Sequence, residues 1–212
     1  MVLRLLQRSP SAPPPAQNGA AEGAPRLSGP ELAKDPAATR KLLQRVAPRV
    51  ARAVYATLGA SSSDSEDVVQ LSLIAFIQAL PAFRGDCSPE SYACTIAVRT
   101  ALAARRRASV ERNRSHAEVE PDDTVSDDVA PSDEALSTER REIFRKLMDR
   151  LPEVQAETFM LRVVLGWSLE EVAEATNAPL NTVRSRMRLA KDALRAMIEN
   201  DPSLVEALEV TS

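Results

Sequence analysis

The chain has 212 residues, enough for one or two domains, and only 3% are aromatic, so its cores must be aliphatic. The net charge of −3 hides segregated charge, because residues 98–114 hold six arginines whereas residues 115–138 hold eight acids and no Lys or Arg. Two cysteines outside a CxxC spacing and one histidine argue against a metal site, and no apolar run has the length of a membrane span. We therefore expect a cytoplasmic protein without a cofactor. Its Ala-rich, Gly-poor composition favours helices.

The first 30 residues are rich in Pro, Ala, Gly and Ser, which predicts a disordered tail. Asp35-Pro36 is typical of a helix start, with a capping side chain followed by a proline in the first turn. Apolar residues at helical spacing extend this first helix to Leu58. Pro48 is expected to bend the helix, and Gly59 to end it.

Two more helices are predicted in the first half. The segment Ser63-Asp64-Ser65-Glu66 is typical of a capping box, and it opens a helix that is apolar on much of its circumference. We expect this helix to lie centrally in the first domain. Ser88-Pro89 predicts the start of a third helix, which runs into three consecutive arginines. Its predicted apolar side consists of Tyr92, Ile96 and Leu102.

The acidic stretch from about residue 115 to 133 contains two prolines and no sustained periodicity. It predicts a solvated linker, and the alternative is an acidic mimic of nucleic acid that occupies a basic groove on a partner or on this chain. A helix returns at about Ser132 and ends at Pro152. The next helix is predicted over residues 153–165, with Gly166 after it.

Residues 168–195 predict two short helices joined by a tight turn. Ser168 and Glu171 have the spacing of a capping box, and Asn177 tolerates the left-handed backbone that such a turn needs. The second helix, from Leu180 or Asn181, carries one apolar stripe of Val183, Met187, Ala190 and Leu194. Its other faces carry Thr182, Arg184, Ser185, Arg186, Arg188, Lys191 and Arg195.

This pattern predicts a helix-turn-helix that binds the major groove of DNA. Arg bonds guanine through two donors, and Thr and Ser bond bases or phosphates from the start of a recognition helix. The alternative is a solvated basic face on an ordinary helical hairpin. An enzyme is disfavoured, because the chain lacks a Gly-rich phosphate loop, a metal-ligand cluster and a nucleophile with a nearby base.

The order of these segments resembles the bacterial extracytoplasmic-function (ECF) sigma factors of the sigma-70 superfamily. The resemblance is carried by DSEDVVQ at 64–70, ALPAFRG at 79–85, DRLP at 149–152, and residues 168–194. It implies an all-α fold of two small helical domains joined by a flexible acidic linker, the second domain being a helix-turn-helix (winged-helix-like sigma region 4). The implied parts are a disordered tail (1–30), region 2 (31–112), the linker (113–134), region 4 (135–200) and an acidic tail (201–212).

The resemblance implies a sigma factor that binds core RNA polymerase and directs it to promoter DNA without catalysing a reaction itself. Region 2 would bind the β′ clamp helices of polymerase through Asp64, Glu66, Asp67 and Gln70, and the −10 element through Tyr92, Arg99, Arg105, Arg106 and Arg107. Region 4 would bind the −35 element through Asn181, Thr182, Arg184, Ser185, Arg186, Arg188 and Lys191. Leu147 and Leu151 are candidates for contact with the polymerase β-flap, with plain core as the alternative. An anti-sigma protein is a further implied partner.

Region 2 departs from the usual family pattern at several positions. Leu71 stands where the family often has Glu, Ile77 and Tyr92 where Trp is common, Arg99 where Asn is common, and Ala103 in place of a frequent Asp. Two alternatives therefore stay open. One is a sigma-derived interaction protein that has lost promoter opening, and the other is a helix-turn-helix regulator that acts without polymerase.

Overall fold

The computed structural model describes residues 35–59, 64–116, 133–202 and 204. All regular structure in these ranges is helical, which confirms the all-α prediction. No helix in the described part of the chain is long and apolar enough to cross a membrane. The predicted N-terminal tail, most of the predicted linker and most of the acidic C-terminal tail lie outside the described residues.

Three helices form the first half: α1 (Pro36–Leu58), α2 (Ser65–Ala79) and α3 (Pro89–His116), with a short 3₁₀ helix (Leu80–Ala82) after α2. As predicted, the Asp35 carboxylate caps α1 by accepting the N–H groups of the first turn, at 2.9 and 3.2 Å. Pro48 lies inside α1, and Gly59 ends it with a φ of 97°. The three helices share a mostly aliphatic core that includes Leu42, Val46, Val50, Val54, Phe76, Val98 and Leu102.

The capping box predicted at residues 63–66 stays a prediction, because its capping residue Ser63 lies outside the described residues. Asp64 occupies the N-cap position of α2, and its side chain makes no capping bond. The Ser65 hydroxyl instead donates a 2.9 Å hydrogen bond to the carbonyl of Gly59. This bond satisfies a carbonyl at the end of α1, a requirement of tertiary structure that a local capping pattern does not contain.

The second half contains α4 (Asp133–Asp149), α5 (Glu153–Phe159), α6 (Leu169–Thr176) and α7 (Leu180–Glu199). Pro152 separates α4 from α5, as predicted. The predicted helix over 153–165 changes in its last turn to a π-helix, Met160–Val164, in which the Leu165 N–H reaches the Met160 carbonyl at 2.9 Å. Gly166 then turns the chain with a φ of 77°.

Helices α6 and α7 form the predicted helix-turn-helix. The capping box is present, because the Glu171 N–H donates to the Ser168 hydroxyl at 3.0 Å and the Ser168 N–H donates to the Glu171 carboxylate at 2.7 Å. Asn177 has the left-handed backbone, with φ 50° and ψ 46°. The apolar stripe of α7 is buried and comprises Val183, Met187, Ala190, Leu194 and, beyond the prediction, Ile198.

Leu147 and Leu151, the candidates for polymerase β-flap contact, are both buried in the core beside Ile143 and Phe159. The core alternative is therefore the correct one in this conformation. The two halves of the chain also pack on each other, since α3 lies against α4, α5 and α6. This packing determines which of the predicted DNA-binding side chains are accessible.

The left-handed backbone of Asn177 allows a test of the helix-turn-helix turn. We expect Asn177→Ala to lower the free energy of unfolding by about 1 kcal/mol, because a residue with a β-carbon and no polar side chain is disfavoured in this conformation. Asn177→Gly should leave the stability unchanged or raise it, because Gly adopts positive φ without steric cost. Urea denaturation followed by circular dichroism measures both, and equal stabilities of the two variants would contradict the assignment.

Candidate nucleic-acid and polymerase interfaces

The candidate DNA-binding surface lies on α7, opposite its buried stripe. The carbonyl of Pro179 accepts the N–H groups of Thr182 and Val183 at 2.8 and 3.1 Å, which starts the helix directly after the turn. Burial of the stripe then directs the other faces outward. Of the predicted −35 residues, Asn181, Arg184, Ser185 and Arg188 are exposed, and Thr182, Arg186 and Lys191 are partly buried.

The exposed cations of α7 make only weak local bonds. Arg184 donates to the Asn181 side-chain oxygen at 3.2 Å, and Arg188 donates to Asp192 at 3.5 Å. Exposed ion pairs of this kind contribute little to stability, so both guanidinium groups are available for exchange with an anionic ligand. The surface suits contact with phosphates and guanine edges.

Glu157 is a buried carboxylate that the sequence reasoning missed. It lies on α5, behind α7, and accepts a 2.7 Å hydrogen bond from the Arg99 side chain of α3. Burial raises the pKa of Glu157, and the charges of Arg99 and Arg186 oppose this rise. Glu157 thus bonds one predicted −10 residue, Arg99, and lies within electrostatic range of one predicted −35 residue, Arg186. The available signal was that Glu157 lies next to the largely apolar stretch 159–165, since a charge buried beside such a stretch requires a partner.

Three of the four predicted −10 arginines of α3 bond carboxylates of the second half of the chain. Arg99 bonds Glu157, Arg105 bonds Asp149, and Arg106 bonds Glu153. Arg107 is exposed. The structure thus brings three of these four cations together on one face, but it places them against carboxylates of this chain.

Tyr92, the predicted stacking residue for the −10 element, lies in an aromatic group. Its ring centroid is 5.1 Å from that of Phe83 and 6.2 Å from that of Phe76. The side chain is partly buried. These ring contacts account for an aromatic residue at position 92 without any DNA contact. Base stacking by Tyr92 stays a prediction.

The predicted polymerase-binding residues Asp64, Glu66, Asp67 and Gln70 are all exposed at the start of α2. Leu71, Ile74 and Ile77 follow them and are 54%, 50% and 41% exposed. Helix α2 is therefore not the central helix that its apolar circumference predicted, because only the side with Val68, Ser72 and Phe76 is buried. We call the exposed side, residues 66, 67, 70, 71, 74 and 77, the α2 docking face. Contiguous exposed apolar side chains next to charged ones are typical of a protein–protein contact.

The two cysteines are free, Cys94 buried and Cys87 partly buried. Burial is the largest cause that raises the pKa of each thiol to about 11, so both are protonated at neutral pH and are poor nucleophiles. Within the described residues, no three His, Cys, Asp or Glu side chains are grouped as a metal site would require.

Comparison with known proteins agrees with this geometry. The family model "Sigma-70 region 2" matches residues 42–110, and "Sigma-70, region 4" matches residues 141–194. The ECF RNA polymerase sigma-E factor of Salmonella typhimurium is 35% identical over 139 residues, which are 63% of this chain and 73% of that protein. The sigma-E factors of Escherichia coli K12 (34% over 139 residues) and Haemophilus influenzae (34% over 146 residues) are similar relatives.

Two solved structures are similar at 19% identity. CnrH in complex with the cytosolic domain of CnrY has a TM-score of 0.49 and covers 83% of this chain and 97% of that chain. The sigma factor RpoE in complex with the anti-sigma factor NepR from Bartonella quintana has a TM-score of 0.45 and covers 77% and 98%.

A helix-turn-helix with an exposed cationic side is typical of a DNA-binding protein. The family of this DNA-binding protein follows from the matches to sigma-70 regions 2 and 4 and from the sequence identity to the sigma-E relatives. The chain belongs to the ECF sigma factors, the dissociable subunits that direct RNA polymerase to promoters.

Burial of Glu157 generates a pH-dependent prediction. Because its folded-state pKa is raised above the ordinary 4.5, its contribution to folding is complete below pH 4.5 and is lost as pH rises through the raised value. Glu157→Gln removes this loss, so the variant should gain in unfolding free energy relative to the wild type as pH rises through that window. Urea denaturation at a series of pH values measures the difference, with the exposed Glu170→Gln as control. A difference that moves the other way would contradict the assigned burial.

Proposed function

We propose that this sigma factor recognises promoters with two elements through two separate helices. Region 4 (135–200) reads the −35 element with α7, region 2 (31–112) binds the −10 element with α3, and the segment 113–134 links them. The observation that supports this most is the exposed cationic side of α7 above a fully buried stripe. Two weak DNA-binding surfaces on one chain multiply their affinities only where both promoter elements lie at the right spacing. This requirement gives promoter specificity.

The α2 docking face is the proposed contact with polymerase. Its carboxylates, Glu66 and Asp67, can pair with Arg side chains of the β′ clamp helices, and Asp64 and Gln70 add polar contacts. Its apolar residues, Leu71, Ile74 and Ile77, supply the area that a stable contact buries. Leu71 stands where the family often has Glu, so at this position the contact gains apolar area relative to the usual pattern.

For the −10 element we propose Arg99, Arg105, Arg106 and Arg107 as backbone contacts of the melted strand, with Tyr92 as a stacking partner. The chain itself performs no bond chemistry, since polymerase forms the phosphodiester bonds. The site of action is the cytoplasm, where polymerase and promoter meet. An anti-sigma protein is a further proposed partner, which the family supports.

The test is transcription with purified core polymerase on fragmented genomic DNA, followed by sequencing of the transcript starts. We expect starts that share a pair of upstream motifs at constant spacing. Sequence-specific DNA binding by the chain alone, without promoter-directed transcripts, would support a regulator that acts without polymerase. Polymerase binding without transcripts would support an interaction protein that has lost promoter opening.

A matched pair of variants tests whether the α2 docking face binds core polymerase. Ile74→Glu should weaken binding to core polymerase in the absence of DNA by about tenfold or more, because it places a charge in an apolar contact. Val110→Glu is the control, since Val110 is similarly exposed at 51% but lies on α3, outside the docking face. Equal affinity of both variants for core polymerase would exclude the α2 docking face.

The −35 contact has its own test. Arg184→Ala is expected to weaken binding to the upstream element by about 1–3 kcal/mol if the guanidinium bonds a base edge. Arg195→Ala is the control, because Arg195 is exposed on the same helix but is outside the proposed set. Fluorescence anisotropy of the polymerase complex on matched and mutated elements measures both. A loss that is equal on all sequences would assign Arg184 to phosphate contact alone.

A further inference from the structure

Three arginines of α3 are bonded to three carboxylates of the second half of the chain. The carboxylates belong to Asp149, Glu153 and Glu157, which follow one another at intervals of four residues across the α4–α5 junction. Their partners on α3 are Arg99 for Glu157, Arg106 for Glu153 and Arg105 for Asp149. We call these three ion pairs together the clasp.

Arg105 is the centre of the clasp. It donates to both carboxylate oxygens of Asp149, from Nε at 3.1 Å and from Nη2 at 2.9 Å, and its Nη1 donates to the Thr57 carbonyl of α1 at 3.1 Å. The side chains of Arg105 and Asp149 are only 10% and 16% exposed. A two-pronged pair with so little solvent contact is the strong form of this interaction. In this conformation Arg105 presents no free edge to a phosphate.

The flanking pairs are more exposed. Arg99 donates to Glu157 at 2.7 Å while about half of the arginine side chain, 47%, contacts solvent. Arg106 donates to Glu153 at 3.2 Å and to the Leu151 carbonyl at 3.2 Å, and the Glu153 side chain is 59% exposed. The Arg106–Glu153 pair is the weak one, because its carboxylate is exposed, whereas the buried Glu157 carboxylate depends on Arg99.

The three arginines of the clasp are among the four that the proposed function assigns to the −10 element. Arg binds carboxylate and phosphate with the same planar arrangement of donors. The carboxylates therefore occupy the positions that DNA phosphates would need. We propose that the clasp is autoinhibitory: in the free chain, Asp149, Glu153 and Glu157 act as an internal substitute for DNA and keep the −10 surface closed.

The closed form leaves the other two surfaces open. Arg184 and Arg188 of α7 remain exposed, as do Glu66, Asp67 and Ile74 of the α2 docking face. Contact with polymerase can therefore precede opening, and the −10 arginines become available once α4 and α5 move away from α3. The inference rests on the proposed function of α3, and the acids of the clasp lie outside the acidic stretch at 115–133.

The test uses the full chain with the double variant Asp149→Asn/Glu153→Gln, which leaves all arginines in place. Its control, Glu111→Gln/Glu199→Gln, removes two exposed acids outside the clasp and changes the net charge equally. We measure the radius of gyration by small-angle scattering and the affinity for a labelled single-stranded DNA oligonucleotide without polymerase. The clasp variant should have a larger radius of gyration than the control. It should also bind the oligonucleotide about tenfold more tightly, as expected if about a tenth of the wild-type molecules are open. Addition of Arg105→Ala/Arg106→Ala should abolish the gain.

Two outcomes would overturn the proposal. In the first, the clasp variant binds the oligonucleotide with the same affinity as the control. In the second, the clasp variant has a larger radius of gyration, but it gains no affinity that is lost again on Arg105→Ala/Arg106→Ala. If thermal melting shows that the double variant is unfolded, Glu153→Gln alone is used. Its carboxylate is largely exposed, so folding does not require it, and a smaller gain over Glu111→Gln is expected. Transcription by the wild type with core polymerase is measured in parallel. Its absence would refute the proposed function, whereas normal transcription with no gain in DNA binding would refute the clasp alone.

Discussion

Burial of the apolar stripe of α7 against α5 is the interaction on which the rest of this structure depends. Val183, Met187, Ala190, Leu194 and Ile198 all lie in the core, and full burial of a large aliphatic side chain contributes roughly 1.5–3 kcal/mol. This burial determines the rotation of α7 about its axis. The polar and cationic residues between the stripe positions must then face outward, which places the candidate DNA surface opposite the core.

The same core fixes the position of α5, and α5 carries the acids that reach α3. Glu157 lies buried between the two helices that the proposed function assigns to the −35 and −10 elements, in contact with Arg99 and near enough to Arg186 to affect its own pKa. Packing and electrostatics are thus coupled. Displacement of α5 from α3 would expose a desolvated carboxylate to water, which lowers the cost of opening this face of the protein.

Local sequence patterns predicted the elements well where the stabilising partners are local. The Asp35 cap, the Ser168–Glu171 capping box and the left-handed Asn177 are all present because each depends on atoms within a few residues. The start of α2 instead involves a partner outside its own first turn. The Ser65 hydroxyl bonds Gly59, which belongs to the end of the preceding helix, and that demand does not appear in a local pattern.

The sequence by itself determined the helical class, the family resemblance and the cationic side of α7, because helix periodicity places residues on faces without knowledge of the fold. Only the tertiary structure decided which of those faces meet. The α2 helix is apolar on several sides, and its periodicity does not say that Leu71, Ile74 and Ile77 stay exposed. The pairing of Arg105 with Asp149 joins residues far apart in the chain, and such pairs follow from how two helices approach each other rather than from any spacing in the sequence.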